Sequence, residues 1–281
     1  MCYTSYGVLL SDSSDSVPRL ALDSFSAIDL QSVTYSSGGG GNFSHGHGTM
    51  HRREILQALL DRKSNPTYLE IGVERGKLLL SLKAGRKIAV DPRFDISWRK
   101  KLRAALSHRS NWGIQYFEVP SDEFFEKNAE ALKDGIDVAF VDGLHTHDQA
   151  YRDVLNCLKH LKPGGFILMH DCIPPNAAAA EYAYSPEEVA AKNLPDWSGE
   201  WTGDVYKAVI QLRQENRDLN VFTLDCDYGV AVVYRGSQEN PLPEHLTELQ
   251  SLSYQDFLGR KRELLNVKPP EFFHEWLRRA A

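Results

Sequence analysis

Two short runs concentrate side chains that can handle protons and cations: Asp142-Gly143-Leu144-His145-Thr146-His147-Asp148 and His170-Asp171-Cys172. Each follows an apolar run of strand length, at 137–141 and at 166–169. Neighbouring strands lie about 5 Å apart, so Asp142 and Asp171 converge if these two strands are adjacent and parallel. Two carboxylates that close repel unless a proton or a cation lies between them. A hard divalent ion such as Mg²⁺ meets that need, with carboxylates, waters and substrate oxygens completing six ligands. The same residues have plainer uses. An Asp at a strand end caps the helix that follows, His145 and His147 suit a solvated loop, and His170 suits a backbone hydrogen bond. Cys172 reads as a small buried residue, because no activating pair accompanies it.

The elements that must position these residues alternate. Short, nearly continuous apolar runs at 68–71, 87–90, 114–117, 137–141 and 166–169 fit parallel strands covered on both faces. Between them lie helical stretches. The clearest opens at Thr146, with Gln149 completing a capping box, and carries Tyr151, Val154, Leu155, Leu158 and Leu161 as its apolar stripe. Pro163-Gly164-Gly165 then turns the chain into the next strand. An irregular insertion spans 173–201, holding Tyr182, Tyr184, Trp197 and Trp201 as candidate walls of an acceptor pocket. The run Trp201-Thr202-Gly203-Asp204 opens a helix to about Asn216, with Asp204 aimed at the rim or capping the helix. Strands at 221–224 and 230–233, joined through 225–229, form an antiparallel hairpin. The expected fold class is therefore α/β: a doubly wound, Rossmann-like, seven-stranded sheet, mostly parallel with a C-terminal antiparallel hairpin. The expected organisation is a flexible Ser/Gly/His-rich segment at 1–48, including His45 and His47, a domain at 49–235 and a helical tail at 236–281.

In such a sheet, ligands bind outside the carboxyl ends of the strands. Glu70-Ile71-Gly72-Val73-Glu74-Arg75-Gly76 occupies that place after the first strand. Gly72 permits a tight turn and Gly76 a close backbone approach. Asp91 ends the next strand 21 residues after Glu70, where a carboxylate can accept the hydroxyls of a ribose. A dinucleotide site would want glycine where Glu74 stands, since a carboxylate opposes a pyrophosphate. The loop fits a cofactor that presents a cation and a ribose, or simply a structural turn.

Tyr68-Leu69-Glu70-Ile71-Gly72, Asp91 and Leu161-Lys162-Pro163-Gly164-Gly165 resemble the motifs of class I S-adenosylmethionine-dependent methyltransferases over roughly residues 67–235. The resemblance implies that S-adenosyl-L-methionine is held by Glu70, Gly72, Glu74 and Gly76 at its methionine and ribose end and by Asp91 at the ribose. It places Ser121 and Asp122 near the adenine and Asp142 beside the cofactor; Ser121 and Asp122 equally suit a helix N-cap. The Asp-x-x-His run after the fourth strand and the acidic position after the fifth resemble metal-dependent O-methyltransferases acting on macrolide sugars and cephalosporin-hydroxylase-like proteins. That implies Asp142 and Asp171 as metal ligands and His145 as general base. His170 stands where those families carry a carboxylate, which points to a looser site, a softer metal or none.

The 281 residues carry a net charge of −6, which argues against a protein that coats nucleic acid. No apolar run approaches the roughly 18 residues that span a bilayer, and the first ten residues lack a signal peptide's features. Four scattered cysteines without a C-x-x-C pair fit a reducing, cytoplasmic setting. The expectation is metal-assisted O-methylation of a hydroxyl on a small metabolite, a sugar or natural product, with neither nucleic acid nor membrane as partner. A homo-oligomer through the helical tail stays open. The alternatives are a metal-independent N- or O-methyltransferase, a non-catalytic cofactor-binding relative, and a dehydrogenase that binds NAD(H). An α/β-hydrolase is disfavoured because no G-x-S-x-G elbow is present.

Overall fold

The computed structural model describes residues 50–243, 249 and 251–279. The segment at 1–48, with His45 and His47, and Thr49 therefore lie outside the described residues. The chain order is α1 (Arg52–Leu60), β1 (Thr67–Ile71), α2 (Lys77–Ser81), β2 (Arg86–Val90), α3 (Trp98–Ser107), β3 (Gln115–Phe117), α4 (Ser121–Lys127), β4 (Ile136–Val141) and α5 (His147–His160). It continues with β5 (Leu161–Met169), α6 (Pro186–Ala191), α7 (Val205–Glu215), β6 (Leu219–Leu224), β7 (Val230–Arg235), α8 (Tyr254–Leu264), β8 (Val267–Lys268) and α9 (Glu271–Arg279).

The strands form one sheet in the order β3-β2-β1-β4-β5-β7-β6-β8. Pairing is parallel from β3 to β5, antiparallel for β5–β7 and β7–β6, and parallel again for β6–β8. The sequential order reverses between β1 and β4, the crevice where doubly wound sheets bind ligands. Alternate residues of each central strand feed two cores. Leu69, Ile71, Ala139 and Ile167 meet Val154 and Leu158 of α5 and Val209 and Leu212 of α7 on one face. Tyr68, Phe140 and Leu168 meet Ile55 and Leu59 of α1 and Trp276 of α9 on the other. Burial on both faces explains why β1 and β4 read as nearly continuous apolar runs: every residue of each is buried, Glu70 and Asp137 included.

Three expectations need correction. The sheet has eight strands rather than seven, because Val267 and Lys268 pair with Thr223 and Leu224, so the region at 236–281 is helical only in part. A two-residue strand between helices has too short an alternation to stand out in sequence. Second, Pro163-Gly164-Gly165 does not precede the fifth strand. It lies within β5, where the register against β4 shifts between Ile136 and Val138, a bulge that accepts residues unable to join a regular ladder. Third, Thr146 stands at the N-cap of α5 without a side-chain cap bond. Asp204 does that work from the start of α7, its Oδ1 accepting the His147 amide at 2.7 Å. Among the described residues no helix is long and apolar enough to cross a membrane.

Candidate active site

Because β4 and β5 are parallel neighbours, their carboxyl ends deliver Asp142 and the pair His170-Asp171 to one spot. His170 Nδ1 lies 3.2 Å from Asp142 Oδ1 and 3.1 Å from Asp171 Oδ1. Asp142, His170 and Asp171 each offer one ligand atom, all within 4.8 Å of one another. His145 completes the group, its Nε2 3.6 Å from Asp142 Oδ1 and 3.3 Å from Asp171 Oδ2. Asp171 adopts a left-handed backbone (φ 58°), a conformation that aspartate tolerates better than most residues.

The tautomer of His145 follows from its other nitrogen. The Trp201 carbonyl accepts from Nδ1 at 3.0 Å, so the proton sits on Nδ1 and Nε2 carries the lone pair facing the carboxylates. Burial opposes a charge on His145, but Asp142, which accepts from Nε2–H once the ring takes up a proton, and the charges of Asp171 and Asp142 outweigh it and raise its basicity. Burial likewise pushes Asp142 upward, yet His170 and His145 prevail and hold it well below the usual carboxylate range. Trp201 also packs its ring against His145, with centroids 5.0 Å apart. Trp201, a candidate wall of the acceptor pocket, thus also anchors the imidazole.

Two residues that sequence reasoning missed close the cluster from behind. Since β7 runs antiparallel beside β5, the turn that starts it returns to the same rim. The Asp227 carboxylate accepts from Arg52 at both the backbone amide (2.9 Å) and Nη1 (2.8 Å), and Oδ1 lies 3.7 Å from His170 Nε2. Arg52 Nη1 is also 2.7 Å from His170 Nε2. A guanidinium only donates, so this contact needs a lone pair on Nε2. Burial lowers and the surrounding carboxylates raise the basicity of His170, with the carboxylates prevailing. The guanidinium opposes a second ring proton at Nε2, so the proton of the neutral ring sits on Nδ1, between Asp142 and Asp171. A cleft of about 270 Å³ opens beside this pair, lined by His51, Arg52, Arg53, Lys77, Leu78, Ser81 and Asp227.

The residues expected to hold a cofactor lie at or just after the ends of β1, β2 and β3, with several structural duties. Gly72 has φ +81°, and a Cβ there would stand 1.9 Å from the Asp142 carbonyl oxygen, so its small size lets the first loop cross the end of β4. Asp91 Oδ2 accepts the amides of Val73 and Glu74 at 2.7 and 2.8 Å, and Oδ1 accepts that of Arg93 at 2.7 Å. A carboxylate has about four acceptor sites, which leaves capacity for one ribose hydroxyl rather than two. Glu70 is buried and accepts the Tyr68 hydroxyl at 2.6 Å; burial pushes it up to about 8. Glu74 is exposed beside Arg75 at 3.4 Å, and Gly76 (φ +61°) starts α2. Ser121 begins α4 inside the helix, with Pro120 at the N-cap. Ser121 and Asp122 both accept from Gln149 Nε2, at 3.1 and 3.2 Å. Of the other expected residues, His147 bonds Gln211 at 2.7 Å and ties α5 to α7. Cys172 is buried, with its thiol pushed up by burial.

Gln149 Nε2 also reaches Asp153 Oδ1, at 3.0 Å. Asp153 is buried, and burial pushes its carboxyl up to about 7. Its unfolded value is 3.8, so ionising it costs the fold on the order of 4 kcal/mol. This contribution to stability is intact below about pH 4 and is lost as pH rises towards 7. Urea unfolding at pH 5 and pH 8 checks it: Asp153→Asn flattens the loss across that interval. An unchanged slope in the variant would assign the effect elsewhere.

Residues 69–172 match the family model described as a methyltransferase domain. A curated relative, the uncharacterized protein R132 of Acanthamoeba polyphaga mimivirus, is 28% identical over 150 residues, covering 50% of this chain and 64% of that protein. The chain thus spans under two thirds of that relative's length. Among solved structures, cofactor-bound Rv0187 from MTB aligns at a TM-score of 0.46 and 14% identity, over 66% of this chain and 79% of that one. A putative O-methyltransferase from Klebsiella pneumoniae aligns at 0.45 and 14%, over 68% and 83%. SAH-bound PaMTH1 of Podospora anserina aligns at 0.45 and 20%, over 65% and 76%. Residues 69–172, which include Asp142, His145, His170 and Asp171, are thus similar to a methyltransferase domain.

Proposed function

We propose that the chain transfers the methyl group of S-adenosyl-L-methionine to a hydroxyl of a small acceptor, a sugar or related natural product, with His145 as general base and a divalent cation at Asp142, His170 and Asp171. The observation that carries this reading is the meeting of those three side chains with the Nε2 lone pair of His145. The cofactor would lie along Glu70, Gly72, Glu74, Gly76 and Asp91, with Ser121 and Asp122 at its adenine end and Asp142 at its methyl end. The unit at 49–235 would hold the whole site, with the described part of 236–281 packed onto its sheet through β8, Phe257 and Trp276.

The donor set would fit a single ion, two carboxylates and an imidazole within 4.8 Å of one another, with the His170 proton moved from Nδ1 to Nε2 on the side of Asp227 and the Arg52 contact released. An imidazole among the ligands favours Mn²⁺ or Zn²⁺ over Mg²⁺ more than an all-oxygen set would. Such an ion supplies Lewis acidity, lowering the pKa of a bound hydroxyl. The chain's own residues do the rest. Trp201 holds His145 in the one tautomer able to receive a proton, and Asp171 and Asp142 stabilise the imidazolium that results. Asp227, held by Arg52, fixes the plane of His170. Transfer from a sulfonium needs alignment above all, which the rigid strand ends provide.

The test is calorimetric titration with S-adenosylhomocysteine, followed by methyl transfer from labelled S-adenosylmethionine to hydroxylated acceptors with and without Mn²⁺ and Mg²⁺. We expect cofactor binding without added metal, turnover that EDTA removes, and a rise in thermal midpoint with Mn²⁺ that Asp171→Asn abolishes. Turnover indifferent to EDTA would favour the metal-independent alternative, and NAD(H) binding in place of S-adenosylhomocysteine would overturn the assignment.

A further inference from the structure

A surface helix normally turns its apolar stripe towards the core, and α3 does the reverse. None of its residues is buried. Trp98, Leu102 and Leu106, spaced four apart and so on one side, are 69, 52 and 76% exposed, and Trp112 in the following turn is 73% exposed. Two of its contacts with the body of the protein are made by cations. Lys101 Nζ sits 4.0 Å from the Tyr116 ring centroid, and Lys100 donates to the Arg75 carbonyl. Arg99 and Arg103, also exposed, flank the apolar stripe at the 100° step of a helix. Residues 93–109 hold six Lys and Arg against Asp95 alone, within a chain of net charge −6.

A second copy would meet this face badly, because a two-fold axis sets the same patch against itself, arginine against arginine. An anionic bilayer surface meets every feature. Tryptophan rings favour headgroup depth, leucines enter the acyl boundary, and arginines pair with lipid phosphates and carboxylates. We propose that α3 with Trp112 is a docking face for an anionic membrane surface, so that the protein works as a peripheral enzyme without spanning the bilayer.

Co-sedimentation of the full chain with vesicles tests this at low salt, using phosphatidylcholine alone and phosphatidylcholine mixed with phosphatidylserine. We expect roughly tenfold or more binding to the anionic vesicles, falling as salt is raised, with a blue shift of tryptophan emission. Trp98→Ser with Leu106→Ser, and separately Arg99→Glu with Arg103→Glu, should each lower binding roughly tenfold. The thermal midpoint should hold, since these side chains are exposed. Equal binding to both vesicle types would overturn the proposal. So would anionic binding that neither double variant reduces, or a solution dimer that Trp98→Ser with Leu106→Ser converts to monomer.

Discussion

Replacing His145 with alanine lowers turnover by roughly 10²- to 10⁴-fold, the range for loss of a positioned general base, while the affinity for S-adenosylhomocysteine stays close to that of the unaltered protein. The expectation follows from where the two ring nitrogens point. Nδ1 is committed to the Trp201 carbonyl, and Nε2 faces Asp142 and Asp171, so the ring's chemistry is directed at the cluster and away from the β1 loop. His145→Gln separates the base from the anchor. Its amide can still donate to Trp201 but cannot take up a proton at neutral pH. Both variants should therefore lose turnover, with glutamine retaining more of the stability. Single-turnover measurements with saturating cofactor distinguish these outcomes, and turnover unaffected in both variants would remove His145 from the chemistry.

The second large effect falls on a residue that touches no reacting group. A Cβ on Gly203 would stand 1.7 Å from the His145 carbonyl oxygen, and Gly203 has φ +58°. The obstacle is backbone, which cannot swing aside as a flexible side chain would. A left-handed non-glycine residue costs about 1–2 kcal/mol and overpacking about 1–3 kcal/mol more. Gly203→Ala should therefore lose about 2–5 kcal/mol in urea unfolding and reduce turnover as well, because the obstacle is the His145 backbone itself. The neighbouring bonds offer little slack: the amides of Thr202 and Gly203 both donate to the Ala179 carbonyl, at 3.0 and 2.9 Å. A variant with native stability and native turnover would show that the insertion does not brace the imidazole. Gly72→Ala, facing the Asp142 carbonyl at 1.9 Å, makes the same demand at the other loop.

What could be read in the sequence was what the strands themselves dictate. Nearly continuous apolar runs marked β1, β4 and β5, and the rule that ligands gather at carboxyl ends then selected Asp142, His145, His170 and Asp171 for one site. What could not be read lay in contacts across the chain. Arg52 opens a helix with nothing local to mark it, and Asp227 sits in a hairpin turn where aspartate is ordinary. Their importance exists only once β7 is laid beside β5. The capping of α5 escaped for the same reason: Thr146 carries the right local signal, but Asp204, more than fifty residues away, provides the bond. Asp91 shows the opposite case, where the expected residue stands in the expected place with most of its acceptor capacity already used by the loop it supports.

The Arg52–Asp227 pair joins positions 175 residues apart, and this separation bears on the order in which the molecule comes together. Contacts between distant segments close late, after the entropy of a long loop has been lost. During synthesis the β1–β5 region emerges with His170 and its two acidic neighbours already in reach of one another, but with the guanidinium and its aspartate partner still apart. The hairpin of β6 and β7 must dock before the histidine ring has both faces of its surroundings. Amide exchange should therefore show the turn at 225–229 and the first turn of α1 opening together as one unit, making this long-range clasp the kinetic gate to a finished site.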